Sequence, residues 1–198
     1  MGRSKLGIEL ACAGFETLGG LGLAAAMESC LDIVYVVVRK GSDKRWLEPY
    51  SQRASRIGKP CIILEAEDAE QGMSFSIRSG VNAMLDSLKI PRGLVIMLGD
   101  QPLVTGEMIN RLIGHFYEHT GLDYVVSSDG ITRQPPILLA STMYDQLMKL
   151  EGDAGARRLL GDSRWRGSDI FAEDSRRLLD VDTEEDMEVL NRYCIALK

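Results

Sequence analysis

A single aspartate lies in Leu98-Gly99-Asp100-Gln101-Pro102-Leu103, immediately after the apolar run Leu94-Val-Ile-Met-Leu98. A carboxylate just past the carboxyl end of a buried parallel strand faces the crevice in which open α/β sheets bind their ligands. Asp100 can there hold Mg²⁺, which takes one or two carboxylates and completes its shell with water and phosphate oxygens. Its alternative use is to cap the helix expected from about Thr105. Asp180-Val181-Asp182 closes a possible late strand and offers Asp182 as a second carboxylate for the same metal. Part of that pattern is already explained by Thr183 and Asp186, an N-cap followed three residues later by a carboxylate.

Two further segments are rich in small residues. In Gln71-Gly72-Met73-Ser74-Phe75-Ser76, Gly72 permits close backbone approach, Ser74 can cap the helix that follows, and the helix N-terminus offers N–H groups to a nucleotide. An ordinary capped helix accounts for the same residues. In Glu151-Gly152-Asp153-Ala154-Gly155-Ala156-Arg157, the guanidinium can grip a phosphate or an internal carboxylate; its residue type favours the internal ion pair. Two other patterns promise more than they carry. His115-x-x-Glu118-His119 matches an inverted zinc-peptidase spacing, but its helix follows a buried strand and turns Leu112 and Phe116 inward. Gly14, Gly19, Gly20 and Gly22 suggest a dinucleotide loop, yet no apolar strand precedes them and the spacing is wrong.

Elements must hold these residues in place, and periodicity supplies them. Ile33 to Val38, Cys61 to Leu64 and Leu94 to Leu98 are continuous apolar runs, as expected of strands covered on both faces. Between and after them, Ile77, Val81, Met84, Leu85 and Leu88, then Met108, Ile109, Leu112, Ile113 and Phe116, recur at helical spacing. Strand and helix in alternation mean parallel βαβ units, an α/β fold. Further along, Asp123 to Ser127 reads as a short strand, Gln134-Pro135-Pro136 as a break, and Ile137 to Leu139 as another strand. Helical patterns follow near 141–150 and 154–160, and a final helix opens at Thr183.

With 198 residues, 45% of them hydrophobic, and no repeat or linker, one domain is expected over 1–198. A net charge of −6 disfavours nucleic-acid binding. The longest strongly apolar stretch, Ile33 to Val38, is too short to cross a bilayer. Gly7 and Glu9 interrupt any signal-peptide core, and Leu6 spoils a myristoylation motif, so a cytoplasmic protein is expected. Cys12, Cys30, Cys61 and Cys194 form no metal-like pair and read as buried reduced thiols.

In order along the chain, Met1-Gly2-Arg3-Ser4-Lys5-Leu6, Gln71 to Ser76, Leu98 to Pro102, Pro135-Pro136, Gly152 to Arg157, and Asp180 to Thr183 with Asp186 resemble the MobA-like nucleotidyltransferases. Within that family the resemblance is to molybdenum cofactor cytidylyltransferases and the PucB-type accessory proteins of purine catabolism. It implies a Rossmann-like three-layer α/β/α fold with a mostly parallel sheet, a nucleotide half over about 1–120 and an acceptor half over about 121–198. It also implies Mg²⁺-dependent transfer of CMP from CTP to the phosphate of molybdopterin, in maturation of a molybdenum hydroxylase such as xanthine dehydrogenase.

The resemblance further assigns roles. Asp100 with Asp182 would hold Mg²⁺ and Lys5 would offset charge on the reacting phosphates. Gly2, Lys5, Gly72 and Ser74 would face the nucleotide, and Pro135, Pro136, Gly152, Asp153 and Arg157 the acceptor. One departure stands out: of the family's opening loop L-A-A-G-x-S-x-R-M-G-x-x-K only Met1, Gly2 and Lys5 match. The strand that precedes this loop in the family is central, so Ile33 to Val38 is expected either to border a void in the sheet or to pair with another chain. A non-catalytic molybdenum cofactor carrier and a sugar-nucleotide pyrophosphorylase of similar fold are the alternative readings.

Overall fold

In a computed structural model that describes residues 5–10 and 16–196, the expected alternation of strand and helix is present. A two-residue pairing of β1 (Glu9–Leu10) with β2 (Glu16–Thr17) leads into helix α1 (Leu18–Glu28). There follow β3 (Val34–Arg39), α2 (Glu48–Ile57), β4 (Cys61–Ala66), α3 (Met73–Leu85), β5 (Gly93–Ile96) and α4 (Gly106–Glu118). The second half contains β6 (Tyr124–Ser128), β7 (Arg133–Ala140), the single-turn α5 (Tyr144–Leu147), β8 (Gly167–Phe171) and α6 (Glu184–Ala196).

Side chains alternate across the strands, and this alternation builds the three layers. Tyr124 and Val126 of β6, Ile137 and Leu139 of β7, and Leu94 and Ile96 of β5 pack with Val81 and Met84 of α3 and with Tyr144 and Leu147 of α5. The intervening Val125, Leu138 and Val95 turn to the other face, against Leu112 of α4. On β3 the pattern repeats: Tyr35 joins the α3 side, while Val34, Val36 and Val38 pack with α1, α2 and Ile109 of α4.

Strands β5, β7, β6 and β8 form one sheet in that order. β7 runs antiparallel to both neighbours and β8 parallel to β6, so three of the four strands share a direction. β3 and β4 form a separate parallel pair. Although β3 and β5 contribute to the same two cores, no backbone ladder joins them among the described residues.

Several local expectations need correction. Pro135-Pro136 does not end the strand. The β6–β7 register passes from Val126↔Ile137 to Ser127↔Gln134, so the two prolines, which have no N–H for a ladder, form a bulge in a strand that continues to Arg133. The glycine-rich stretch is helix α1, capped by Thr17, and its glycines let Tyr50, Trp46 and Leu6 approach the backbone. The pattern at 141–150 shortens to a 3₁₀ turn and α5, and that at 154–160 is a 3₁₀ segment, Ala156–Gly161. β8 and α2 are additional to the sequence reading: β8 has no buried residue, and α2 is amphipathic but mostly polar, burying only Tyr50 and Ala54. Asp180 to Asp182 are not in a strand but link a 3₁₀ turn, Ser175–Leu178, to α6. Cys30 is exposed and Cys61 and Cys194 are half-buried, so the thiols are not core residues; Cys12 lies outside the described residues.

Candidate active site

β5 delivers its chain directly into the loop that carries Asp100, at the carboxyl end of the strand. That loop is bonded to the segment before α6: the Val181 N–H donates to the Asp100 carbonyl (2.9 Å), and the Gln101 side-chain amide reaches the Leu178 carbonyl (3.4 Å). Leu103, Val181, Leu190 and Tyr193 share a small core with Leu18, which holds the segment in place. Asp182 is thereby brought beside Asp100, 82 positions away in sequence. The Thr183–Asp186 capping box forms as the sequence indicated. Asp186 Oδ2 accepts from the N–H groups of Thr183 (2.8 Å) and Asp182 (3.1 Å), and the Asp186 N–H returns to Thr183 Oγ1 (3.2 Å).

Lys5 completes the group. Its Nζ donates to Asp100 Oδ2 (2.7 Å), Asp182 Oδ1 (2.5 Å) and the Val181 carbonyl (3.3 Å). The lysine stands on a 3₁₀ turn, Lys5–Gly7, whose Leu6 side chain lies against the backbones of Gly19 and Gly99. Burial works against the ammonium, but hydrogen bonds to Asp100 and Asp182 outweigh it and raise its pKa. Asp180 is half-buried beside this cluster. Its pKa is raised by desolvation first and by the Asp100 charge second, and its Oδ1 has no hydrogen-bond partner. Of the two readings of Asp100, the cap is excluded: Thr105 itself caps α4, accepting from the Met108 N–H (3.3 Å).

The cluster fits a hard dication. Three oxygens, two of them carboxylate, already converge on one positive charge, and Mg²⁺ needs no further protein ligand when phosphate and water supply the rest. Among the described residues no group of three or more His, Cys, Asp and Glu could hold a metal by itself. The histidine pair is used otherwise: His115 Nε2 bonds Ser168 Oγ (2.8 Å) and His119 stacks on its ring.

The two small-residue segments meet each other. Gly72 is the N-cap of α3 with φ of 129° and ψ of 171°, and a Cβ there would overlap the Gly152 carbonyl and the Asp153 nitrogen. The Ser74 N–H donates to the Gly152 carbonyl (3.1 Å), and the Arg78 guanidinium to the Leu150 carbonyl (2.7 Å). The close approach expected of Gly72 is thus to the backbone of the 151–157 loop. Ser74 caps nothing; it is fully buried and its hydroxyl lacks a partner.

Arg157 is exposed and, among the described residues, makes no ion pair, which overturns the internal pair favoured by its residue type. Asp153 is exposed as well. Pro135 and Pro136 precede Ile137 near the start of antiparallel β7. Since Ile137 pairs with Ile96, they lie at the same sheet end as Asp100. Gly2 lies outside the described residues. Gln101, only 1% exposed, belongs to the Asp100 motif, but nothing in its local pattern marked its structural bond to the Leu178 carbonyl.

The MobA-like NTP transferase domain matches residues 1–168. Purine catabolism protein PucB of Bacillus subtilis (strain 168) is 35% identical over 195 residues, 97% of this chain and 90% of PucB. Many solved structures share the fold, these three among them. Rv0371c of Mycobacterium tuberculosis H37Rv in complex with manganese has a TM-score of 0.64 at 22% identity, over 89% of this chain and 87% of that one. A cytidylyltransferase from Leptospira borgpetersenii reaches 0.69 at 16%, over 100% and 83%. Molybdopterin-guanine dinucleotide biosynthesis protein A from Archaeoglobus fulgidus reaches 0.60 at 17%, over 98% and 91%. Among the described residues, no helix is long and apolar enough to cross a membrane.

Proposed function

The chain belongs to the MobA-like NTP transferases and is a nucleotidyltransferase, and from that premise we propose that it transfers CMP from CTP to the phosphate of molybdopterin, releasing pyrophosphate. The observation that carries this reading is the convergence of Lys5, Asp100 and Asp182 at the carboxyl end of β5. The PucB relative, named for purine catabolism, and the structural neighbours, a cytidylyltransferase and a molybdopterin-guanine dinucleotide biosynthesis protein, support the choice of substrates. We place the reaction in the cytoplasm, in the maturation of a molybdenum hydroxylase.

An oxygen of the acceptor phosphate attacks the α-phosphorus, the new P–O bond forms as the bond to the β-phosphate oxygen breaks, and pyrophosphate leaves in line. Asp100 and Asp182 would hold Mg²⁺, whose contribution when bound is Lewis-acid neutralisation of phosphoryl charge; the manganese complex of Rv0371c supports a divalent ion. Lys5 offers its ammonium to the negative charge that builds on the departing pyrophosphate. Neither a nucleophilic side chain nor a general base is required, because the acceptor phosphate is already anionic.

Gly72 and Ser74 set the backbone of the nucleotide-side loop in the 1–120 half. Pro135, Pro136, Gly152, Asp153 and Arg157 border the acceptor in the 121–198 half. The Gly72–Gly152 contact supports this division, since it puts the two loops side by side. Pyrophosphate release from CTP, GTP and sugar-phosphate mixtures, measured with and without molybdopterin, tests the proposal. Asp100→Asn should lower the rate by about 100-fold or more, several kcal/mol of transition-state stabilisation. A near-wild-type rate would remove Asp100 from the chemistry, and no release from CTP would leave the carrier reading in its place.

A further inference from the structure

The Lys5 ammonium occupies the centre of a three-oxygen cage formed by Asp100 Oδ2, Asp182 Oδ1 and the Val181 carbonyl. The two carboxylates are those assigned above to a divalent cation, and the role of Lys5 inferred from them rests on that assignment. An ammonium with three N–H donors and a hard dication demand the same oxygens, and the two cations repel each other at such separations. They cannot share the cage. We propose that Lys5 is the resident cation of the metal site: it excludes free metal and yields only when a polyphosphate offers its ammonium another anion, so metal enters with the nucleotide and not before it.

The surroundings of Lys5 suit such an exchange. Its side chain is 35% exposed, and it carries a flexible four-carbon stem, so the ammonium can leave the cage while its backbone stays in place. The backbone is held by Leu6, packed against Gly19 and Gly99, and by the Ile8 N–H bond to the Lys5 carbonyl (3.1 Å). The cage itself does not depend on the lysine for its assembly, because the Val181–Asp100 backbone bond and the Asp186 cap hold Asp100 and Asp182 near each other. Removing the ammonium therefore leaves two neighbouring carboxylates with no counter-charge, a stronger site for a dication. Lys5 thus decides the order of binding. Its cost to free metal is the fraction of time the cage is occupied, and its gain is that the ammonium is released at the moment phosphate arrives.

Mn²⁺ binding to the intact protein, followed by the loss of the free-ion electron paramagnetic resonance signal, tests this without any turnover. Lys5→Met, which keeps the stem and removes the charge, and Lys5→Gln as a second neutral variant should bind Mn²⁺ about tenfold or more tightly than wild type in the absence of nucleotide. Added inorganic pyrophosphate, at matched free Mn²⁺, should tighten binding to wild type and close most of that gap. Equal or weaker Mn²⁺ binding by both neutral variants, with circular dichroism showing them folded, would overturn the proposal. Asp100→Asn separates the two levels of inference. If it removes Mn²⁺ binding while the lysine variants match wild type, the metal site stands and the exclusion by Lys5 fails. If Mn²⁺ binding is indifferent to Asp100, the metal reading itself fails.

Discussion

Replacing Gly72 with alanine attacks the contact between the two loops, and its cost can be worked from the backbone. With φ of 129° and ψ of 171°, Gly72 occupies a region that is essentially closed to residues with a Cβ, a strain of about 1–3 kcal/mol. The added methyl would also overlap the Gly152 carbonyl, so the 151–157 loop has to retreat and the Ser74 N–H bond to that carbonyl is lost, about 0.5–1.5 kcal/mol more. Together these predict a loss of about 2–4 kcal/mol, or roughly 5–15 °C in melting temperature for a domain of this size. Gly41 provides the control: its φ is 73° but nothing lies within 4 Å of a Cβ there, so Gly41→Ala should cost only about 1 kcal/mol. Scanning calorimetry of both variants reads the difference. Equal shifts would mean that the Gly72–Gly152 contact adds nothing beyond backbone strain, and that the two loops are not locked together.

Other substitutions separate function from stability. Arg157→Ala should leave the melting temperature within about 1–2 °C, because the side chain is exposed and has no ion-pair partner among the described residues, while raising KM for the acceptor; a large loss of stability would show a buried partner. Thr183→Ala removes the cap of α6 and should cost about 1 kcal/mol by chemical denaturation. The same box makes a pH prediction. Hydrogen bonds from the Thr183 side chain, then from the Thr183 and Asp182 N–H groups, lower the Asp186 pKa in the folded state. Its contribution is therefore complete above the unfolded carboxylate range near 4 and fades as pH falls through the lower folded value. The stability gap between wild type and Asp186→Asn should narrow on acidification over that window, and a constant gap would remove Asp186 as its source.

The legible part of the sequence is the part with a clear period. The runs at Ile33 to Val38 and Leu94 to Leu98 became β3 and β5, with offsets at their ends, because a strand buried on both faces leaves an unbroken apolar signal. The capping box at Thr183 was equally local and is present. Asp100 could be found from its place after a strand and Asp182 from its place before a capped helix, whereas Lys5, 95 positions before Asp100, carries no local signal and came only from the family resemblance. Ser74 shows the limit from the other side: Gly-x-Ser ahead of a helix has the form of a cap, yet tertiary contact with Gly152 supplies the carbonyl and buries the hydroxyl. Pro135-Pro136 misled for a related reason. Two residues without N–H groups end most strands, but here β6 pairs with Ile137 and Gln134 on either side of them and carries the strand past them.

The discontinuity between β3 and β5 lies beside the Asp100 loop, and it decides how the site is held. Among the described residues no ladder fixes β5 against β3, and on that side the loop is positioned by packing: Leu6 between Gly19 and Gly99, and Gly22 of α1 against the carbonyls of Leu98 and Gln101. On the other side it is positioned by a backbone bond, from Val181 to Asp100, one residue from Asp182. A hydrogen bond of 2.9 Å tolerates little displacement, whereas a flexible lysine stem reaching from a packed turn tolerates a great deal. The two carboxylates therefore form the rigid part of the cluster and the ammonium the movable part. In the proposed reaction the carboxylates have to keep their place while the positive charge changes partners from protein to phosphate, and the way the chain secures each of the three residues matches that division.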